Sequence, residues 1–197
     1  MGMRFARVSD SGALLRIYRQ YIDTPVTFEY ELPTEREFAE RIGQITAVYP
    51  YLVWEEEDDI AGYAYAHRHR ERQAYQWNTE LSVYVDGAHV SKGIGGKLYA
   101  ALTELLRLQG VRTAYGFVRL PNEKSERLHL SQGFARVGTY HHSGYKCGAW
   151  QDIGIFEREL LPHDDAPAPV VPVWKLPEEE VRAVLARVSG EKASQNG

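Results

Sequence analysis

The chain has one cysteine, Cys147, in 197 residues, so no disulfide can close within it, as suits a reducing compartment. No apolar run reaches the length of a membrane span. The opening residues, Met-Gly-Met-Arg-Phe-Ala-Arg, lack the apolar core of a secretory signal, and Ala6 stands where a myristoylation signal at Gly2 needs Ser or Thr. Nor is positive charge in excess. The net charge of −4 leaves no general basic field for nucleic acid. No internal repeat is visible. These absences lead us to expect a soluble cytoplasmic protein with neither a nucleic-acid nor a membrane partner. What is present, 44% hydrophobic and 25% charged residues, suffices for one domain with a sizeable core.

Periodicity gives the order of elements. Phe5 to Val8 reads as a strand, and Ser9 or Asp10 caps a helix carrying Leu14, Leu15, Ile17, Tyr18, Tyr21 and Ile22. Thr34 and Glu37 form a capping box for a second helix. Tyr51–Trp54 and Ile60–His67 are strands around an acidic, solvated hairpin tip from Glu55 to Asp59. Trp77–Val85 is the next strand and Gly95–Gln109 a helix that Gly110 ends. Val111–Arg119 is again a strand, a short helix follows Pro121-Asn122 and stops at Gly133, and strands at Phe134–Val137 and Asp152–Leu160 close the domain. This places a domain over residues 1–161. Five of the nine prolines then fall between Pro162 and Pro177, so residues 162–197 read as an extended arm with a short helix at Val181–Val188 and a polar tail. The arm would either wrap a second subunit or dock on its own domain.

The segment Glu80 to Gly95 is the most informative. It sets a carboxylate in an apolar strand, adds a loop, and opens a helix on closely spaced glycines, whose bare amides suit phosphate. From Glu80 to the strand's end at Val85 is roughly 17 Å at ~3.3 Å per residue, about the reach of an extended pantetheine arm. A cofactor with a diphosphate at one end and a thioester at the other would span it. The segment therefore points to acyl transfer from acetyl-CoA. A dinucleotide site of the Rossmann type needs its glycines after the first strand, and here several strands precede them.

Several stretches carry a family resemblance: Tyr49-Pro50-Tyr51-Leu52-Val53, Ala61-Gly62-Tyr63-Ala64-Tyr65-Ala66, Ala74-Tyr75-Gln76-Trp77 and Glu80-Leu81-Ser82-Val83-Tyr84-Val85. They continue with Gly93-Ile94-Gly95, Leu120-Pro121-Asn122, His129 with Gly133-Phe134, and Lys146-Cys147-Gly148-Ala149-Trp150. In this order, over roughly residues 4 to 161, the chain resembles the GCN5-related N-acetyltransferases (GNAT), and within them the phosphinothricin and methionine sulfoximine N-acetyltransferases. The resemblance implies an α/β (α+β) fold with a mixed central sheet splayed around the acetyl-CoA site, flanking helices, no metal, and a homodimer. One departure stands in the glycine loop, where Val90 replaces the usual Gln or Arg. That side-chain contribution to the diphosphate is lost, and Lys92 is left as a source of charge.

The resemblance assigns roles residue by residue. Glu80 is implied as the base that takes the acceptor's ammonium proton, since an amine of pKa about 8 or above is mostly protonated at pH 7. A strand carboxylate is otherwise a salt-bridge partner. His129 is implied as general acid toward the leaving thiolate, against the alternative of a structural helix histidine. Cofactor contacts are expected from Val83, Tyr84 and Val85, from Ser91, Lys92, Gly93, Ile94, Gly95 and Gly96, and from Asn122. The acceptor pocket is expected at Phe28 and at Arg72, Gln73, Ala74 and Tyr75, with Arg72 pairing a substrate carboxylate. Tyr30, Lys146 and Trp150 are further wall candidates. His67 and His69 share a strand face at a spacing metals use, but no third ligand is evident, so they read as solvent-facing. Cys147 lacks a partner histidine and acid and reads as inert.

The expected activity is acetyl transfer to the α-amine of a small amino acid or analogue, such as phosphinothricin, methionine sulfoximine or methionine sulfone, by direct attack in a ternary complex. The alternatives are acetylation of a peptide N-terminus or polyamine, and a non-catalytic acyl-CoA-binding sensor.

Overall fold

Side chains alternate between two faces along the central strands, and each face is covered by its own helices. The structure, a computed structural model, describes residues 2–57 and 59–190. The strands are β1 (Gly2–Phe5), β2 (Tyr51–Glu56), β3 (Asp59–Arg68), β4 (Asn78–Val85), β5 (Thr113–Leu120), β6 (Ala135–Lys146) and β7 (Ala149–Glu159). The helices are α1 (Ser11–Ile22), α2 (Glu35–Thr46), α3 (Ile94–Gln109), α4 (Glu123–Ser131) and α5 (Glu178–Ser189). One seven-stranded sheet runs β1-β2-β3-β4-β5-β7-β6. Neighbours are antiparallel except β4 and β5, whose parallel pairing is made possible by the crossover through α3.

One face buries Leu52, Trp54, Ala64, Ala66, Leu81 and Ala114 under α3, with Leu98, Leu102 and Leu105 fully enclosed. The other buries Tyr51, Val53 and Tyr63 under α1 and α2, against Leu14, Tyr18, Phe38 and Ile42. The predicted capping box is formed: Thr34 Oγ1 accepts from the Glu37 amide, and Glu37 returns a bond to the Thr34 amide at 2.8 Å.

Two elements differ from the sequence reading. β1 lies at Gly2–Phe5 rather than Phe5–Val8, because the Arg4 guanidinium ties it to Glu55 of β2 and to Asp10, and the chain leaves the sheet in a 3-10 turn at Val8–Asp10. The last hairpin is longer than expected. Cys147 and Gly148, at φ 53° and 76°, form its two-residue turn, and the exposed strands flanking it carry no clean apolar alternation.

The proline-rich arm docks on its own domain. The Val171 amide donates to Gln109 O at 2.9 Å, and the Gln109 side chain bridges Val48 O and Val171 O at 2.7 Å each. Val173 and Val184 are buried, and α5 packs on α3 and β1. The expected polar tail from 191 onward lies outside the described residues. No described helix is long and apolar enough to cross a membrane.

Candidate active site

β4 and β5 pair at only three positions, Asn78↔Thr113, Thr79↔Ala114 and Glu80↔Tyr115, and then part. From Leu81 to Val85, β4 keeps β3 on one side but has lost β5 on the other. Which backbone groups face this fork follows from the strand's period of two. Asn78 O accepts from the His69 amide and the Asp86 amide donates to Ala61 O, so even-numbered residues face β3. Trp77 O instead accepts from the amides of Arg112 and Thr113, Leu81 O lies 3.3 Å from the Tyr99 hydroxyl, and Val85 O accepts from the Tyr21 hydroxyl. Val83 therefore directs its N–H and C=O into the fork. Its neighbour Tyr84 does not: its backbone faces β3 and its ring packs edge-on against Tyr18 and Tyr21. The slot in the fork, about 80 Å³, is lined by Val83, Tyr99, Phe117, Asn122, Ser125 and His129 among others.

At the mouth of the fork stands the glycine loop. Ser91 at φ 70° and Gly93 at φ 79° turn the chain through the left-handed region, and Gly93 caps α3 with its amides bare. A Cβ on Gly95 would lie 3.7 Å from side-chain atoms of Val83, Val85 and Leu128, so this glycine lies directly above the open strand. Val90 is exposed and contributes no polar group. Lys92 is turned to Glu56 at 3.2 Å, where its hydrogen bond and, less, its charge hold that carboxyl below the ordinary value; His89 is 3.3 Å from the same oxygen.

Glu80 sits where the strands part, on the face toward α1. It lines an open cleft of about 480 Å³ with Phe28, His69, Arg70, Phe117 and Arg119, and with Tyr140, Ser143 and Ile153 of the last hairpin. His69 Nδ1 lies 2.8 Å from Glu80 Oε1, and His67 Nε2 lies 3.8 Å from Oε2. Of the two histidines expected to face solvent, His69 turns to this carboxylate instead, while His67 keeps a partly exposed side chain. Arg119 Nε donates to the buried Gln151 at 2.7 Å, and its Nη1 to Pro121 O at 3.1 Å. Arg72, Gln73 and Ala74 are exposed in the loop before β4 and do not line this cleft, while Arg70 lies 5.6 Å over the Tyr75 ring. Lys146 is buried, donating to Ile22 O, Thr27 O and Glu29 O at 2.7, 2.6 and 2.8 Å. It thereby fixes the loop that carries Phe28. Trp150 stays exposed on the hairpin, and the Tyr30 hydroxyl donates to Tyr145 O.

His129 is buried behind the slot. Its Nδ1 lies 2.8 Å from Ser125 O and must carry the proton, which makes Nε2, 3.0 Å from the Tyr99 hydroxyl, an acceptor. Burial lowers the imidazole's pKa and raises the Tyr99 phenol's, so both are held neutral. Gly116 is what admits the ring, since a Cβ there would stand 2.1 Å from Nε2. Asn122 caps α4 through Oδ1 to the Ser125 amide at 3.2 Å, leaving its NH₂ at the slot.

The model of the GNAT acetyltransferase domain matches residues 3–155. The chain belongs to the GNAT acetyltransferase family. It is 37% identical to a phosphinothricin N-acetyltransferase of Streptomyces viridochromogenes, over 87% of this chain and 92% of that protein. It is 30% identical to an L-methionine sulfoximine/L-methionine sulfone acetyltransferase of Salmonella typhimurium, over 83% and 96%. Among solved structures, a GNAT phosphinothricin acetyltransferase from Sinorhizobium meliloti in complex with acetyl-CoA superimposes with a TM-score of 0.79 at 32% identity, covering 85% of this chain and 92% of that one.

This GNAT chain is accordingly an acetyl-CoA-dependent N-acetyltransferase, and its residues fit that cosubstrate. The strand edge at Val83, without a partner strand, offers an amide and a carbonyl to a pantetheine arm, and the bare amides at the start of α3 suit a diphosphate. Four residues that matter to this geometry escaped the sequence reading: His69 as a partner of Glu80, Arg70 and Arg119 in the cleft, and Tyr99. Tyr99 lies four residues after Gly95, on the buried stripe of α3, where an aromatic reads simply as core.

Proposed function

We propose that the chain moves the acetyl group of acetyl-CoA to the α-amine of a small amino acid or analogue of the phosphinothricin and methionine sulfoximine type. The observation that supports it most is the position of Glu80. It stands at the last paired rung, between the cleft that would take an amine and the slot that would take the thioester.

Acetyl-CoA supplies an activated acetyl carbonyl when bound, and its thiol is the leaving group as the N–C bond forms and the C–S bond breaks; the chain's residues position the two substrates and move the acceptor's proton. Glu80, directly or through one water, removes the ammonium proton so that the amine lone pair is free. The Val83 amide donates to the carbonyl oxygen as charge builds there, as an oxyanion donor does. Val85 has its backbone engaged by Tyr21, so it contributes shape rather than a free donor. Ser91 through Gly96 cradle the diphosphate, and the Asn122 amide meets the pantetheine. Cys147 takes no part: its thiol is exposed at the hairpin turn, 3.6 Å from Asp23 O, which supports direct transfer in a ternary complex.

His129 was expected to act as an acid, but its geometry supports a different role. Neutral, with its one N–H spent on Ser125 O, it has no proton directed at the slot. It accepts the one proton of the Tyr99 hydroxyl and so fixes that ring beside the Leu81 carbonyl, 3.3 Å away at the open edge of β4. For the acceptor's carboxylate, Arg119 and Arg70 replace Arg72, because they are the guanidiniums of the cleft. We further assign the protein to the cytoplasm and to a homodimer. The dimer no longer draws support from the arm. It draws it from the exposed Val137, Tyr145 and Trp150 of the terminal hairpin, and light scattering should give twice the 22.5 kDa chain mass.

An acceptor panel followed by CoA release and product mass tests the assignment. Phosphinothricin, methionine sulfoximine and methionine sulfone should be acetylated well ahead of their decarboxylated amines. A peptide N-terminus or spermidine winning the panel would overturn the acceptor class, and binding of acetyl-CoA with no turnover on any amine would indicate a sensor.

A further inference from the structure

We infer that His69 is the positioning residue of the base, orienting Glu80 so that one carboxylate oxygen is left for the acceptor's ammonium; this rests on Glu80 being the base. A carboxylate only accepts, so the 2.8 Å contact requires His69 to carry its proton on Nδ1 and donate it to Oε1. The other ring nitrogen agrees with that tautomer, because Nε2 accepts from Arg70 Nε at 3.4 Å. Two neighbours thus fix which nitrogen holds the proton.

The ring plane is fixed as well. His69 lies nearly parallel to Tyr115 at 4.6 Å and to Phe117 at 5.8 Å, with Tyr75 edge-on at 6.4 Å. Its side chain is 13% exposed, half the exposure of Glu80, so the imidazole is the more enclosed partner. Stacking alone would be served by a phenyl ring. What phenyl cannot supply is the N–H toward Glu80. His67 does not duplicate it, since 3.8 Å to Oε2 is beyond a hydrogen bond. With Oε1 engaged, Oε2 has no hydrogen bond among the described residues and is left for the ammonium of an acceptor in the cleft that Glu80 lines.

The consequence is a carboxylate held in one rotamer at the fork, where a loosely held one would sample geometries that miss the amine. Misplacement of a reacting group by about 1 Å costs on the order of 10²-fold in rate. His69→Phe, which keeps the stack and removes the donor, should lower kcat about 10- to 100-fold while leaving the KM for acetyl-CoA and the melting temperature near wild type. His69→Asn places an amide N–H near the position of Nδ1 and should recover most of the loss. In a Glu80→Gln background, His69→Phe should cost nothing further, because its effect runs through the carboxylate. Wild-type turnover in His69→Phe, equal losses in the Phe and Asn variants, or fully additive losses in the double variant would each overturn the inference and leave Glu80 as base intact. Wild-type turnover in Glu80→Gln alone would instead remove the base, and with it this role of His69.

Discussion

Glu80 and Tyr115 form the last rung of the parallel pair, and one residue further on β4 and β5 are no longer partners. Glu80 is therefore placed where the sheet opens, one residue along the edge from Leu81 and three from Val83. A charged side chain in a central strand, costly inside a closed sheet, here reaches a cleft and finds a hydrogen-bond partner in His69.

Val83 provides the sharpest test of the open edge. Because its amide faces the fork and not β3, Val83→Pro deletes a donor without breaking a ladder bond. Turnover should fall by about 10²–10³, the usual cost of one oxyanion donor, with circular dichroism unchanged. Activity within a few-fold of wild type would mean that the Val83 amide does not meet the reacting carbonyl.

The glycine loop separates into two effects. Gly93 has φ 79° and nothing within 4 Å of a Cβ, so Gly93→Ala is penalised by backbone strain alone, about 1–2 kcal/mol of stability. Gly95→Val meets only ordinary contacts at its Cβ, so the fold should survive while the approach of the diphosphate is blocked. Calorimetry should show acetyl-CoA binding severely weakened in Gly95→Val. Unchanged affinity would place the diphosphate elsewhere.

Arg119→Ala should raise KM for carboxylate-bearing acceptors and leave decarboxylated amines little changed, since losing one partner of a well-formed charged pair costs about 2–5 kcal/mol. Arg72→Ala, in an exposed loop, should have little effect on either. The reverse pattern would return the carboxylate to the loop before β4.

Lys146 links the terminal hairpin to the acceptor side. Lys146→Met leaves three carbonyl oxygens without their donor, and a loss of about 3 kcal/mol in urea unfolding is expected. KM for the acceptor should rise while that for acetyl-CoA holds, because the freed loop carries Phe28. A stability change below 1 kcal/mol would contradict the assigned bonds.

His129 predicts a pH dependence. Burial puts its folded pKa below the ordinary 6.5, so between those values the unfolded chain binds the extra proton. Its contribution to stability is present above pH 6.5 and is lost as pH falls toward the folded value, with a slope of at most about 1.4 kcal/mol per pH unit. Urea unfolding at several pH values from 7.5 to 5 should show this slope in the wild type, reduced in His129→Gln. Equal slopes would mean that the imidazole is not held neutral.

Much of the fold was legible because α1, α2, α3 and the inner strands carry apolar residues at clear helical or strand spacing. The terminal hairpin was not, because Tyr140, His141, His142 and Tyr145 are exposed along β6 and give no buried stripe. Glu80 and the glycine loop were visible as a strand–loop–helix pattern. The pairing of His69 with Glu80 was not, since it depends on the β3–β4 register that sets His67 opposite Glu80 and on the chain turning back at His69. Nor could sequence show that Arg119 and Arg70, and not Arg72, share the cleft with Glu80: side-chain direction at a splayed strand end follows from tertiary packing.

The measurement that bears most directly on the whole account is the rate of CoA release by wild type and Glu80→Gln at neutral pH, with saturating acetyl-CoA and phosphinothricin. The wild type should turn over, and Glu80→Gln should be slower by about 10²–10⁴, partly rescued at high pH where the free amine is already present, with acetyl-CoA affinity retained. Equal turnover at neutral pH in the two proteins would contradict the account.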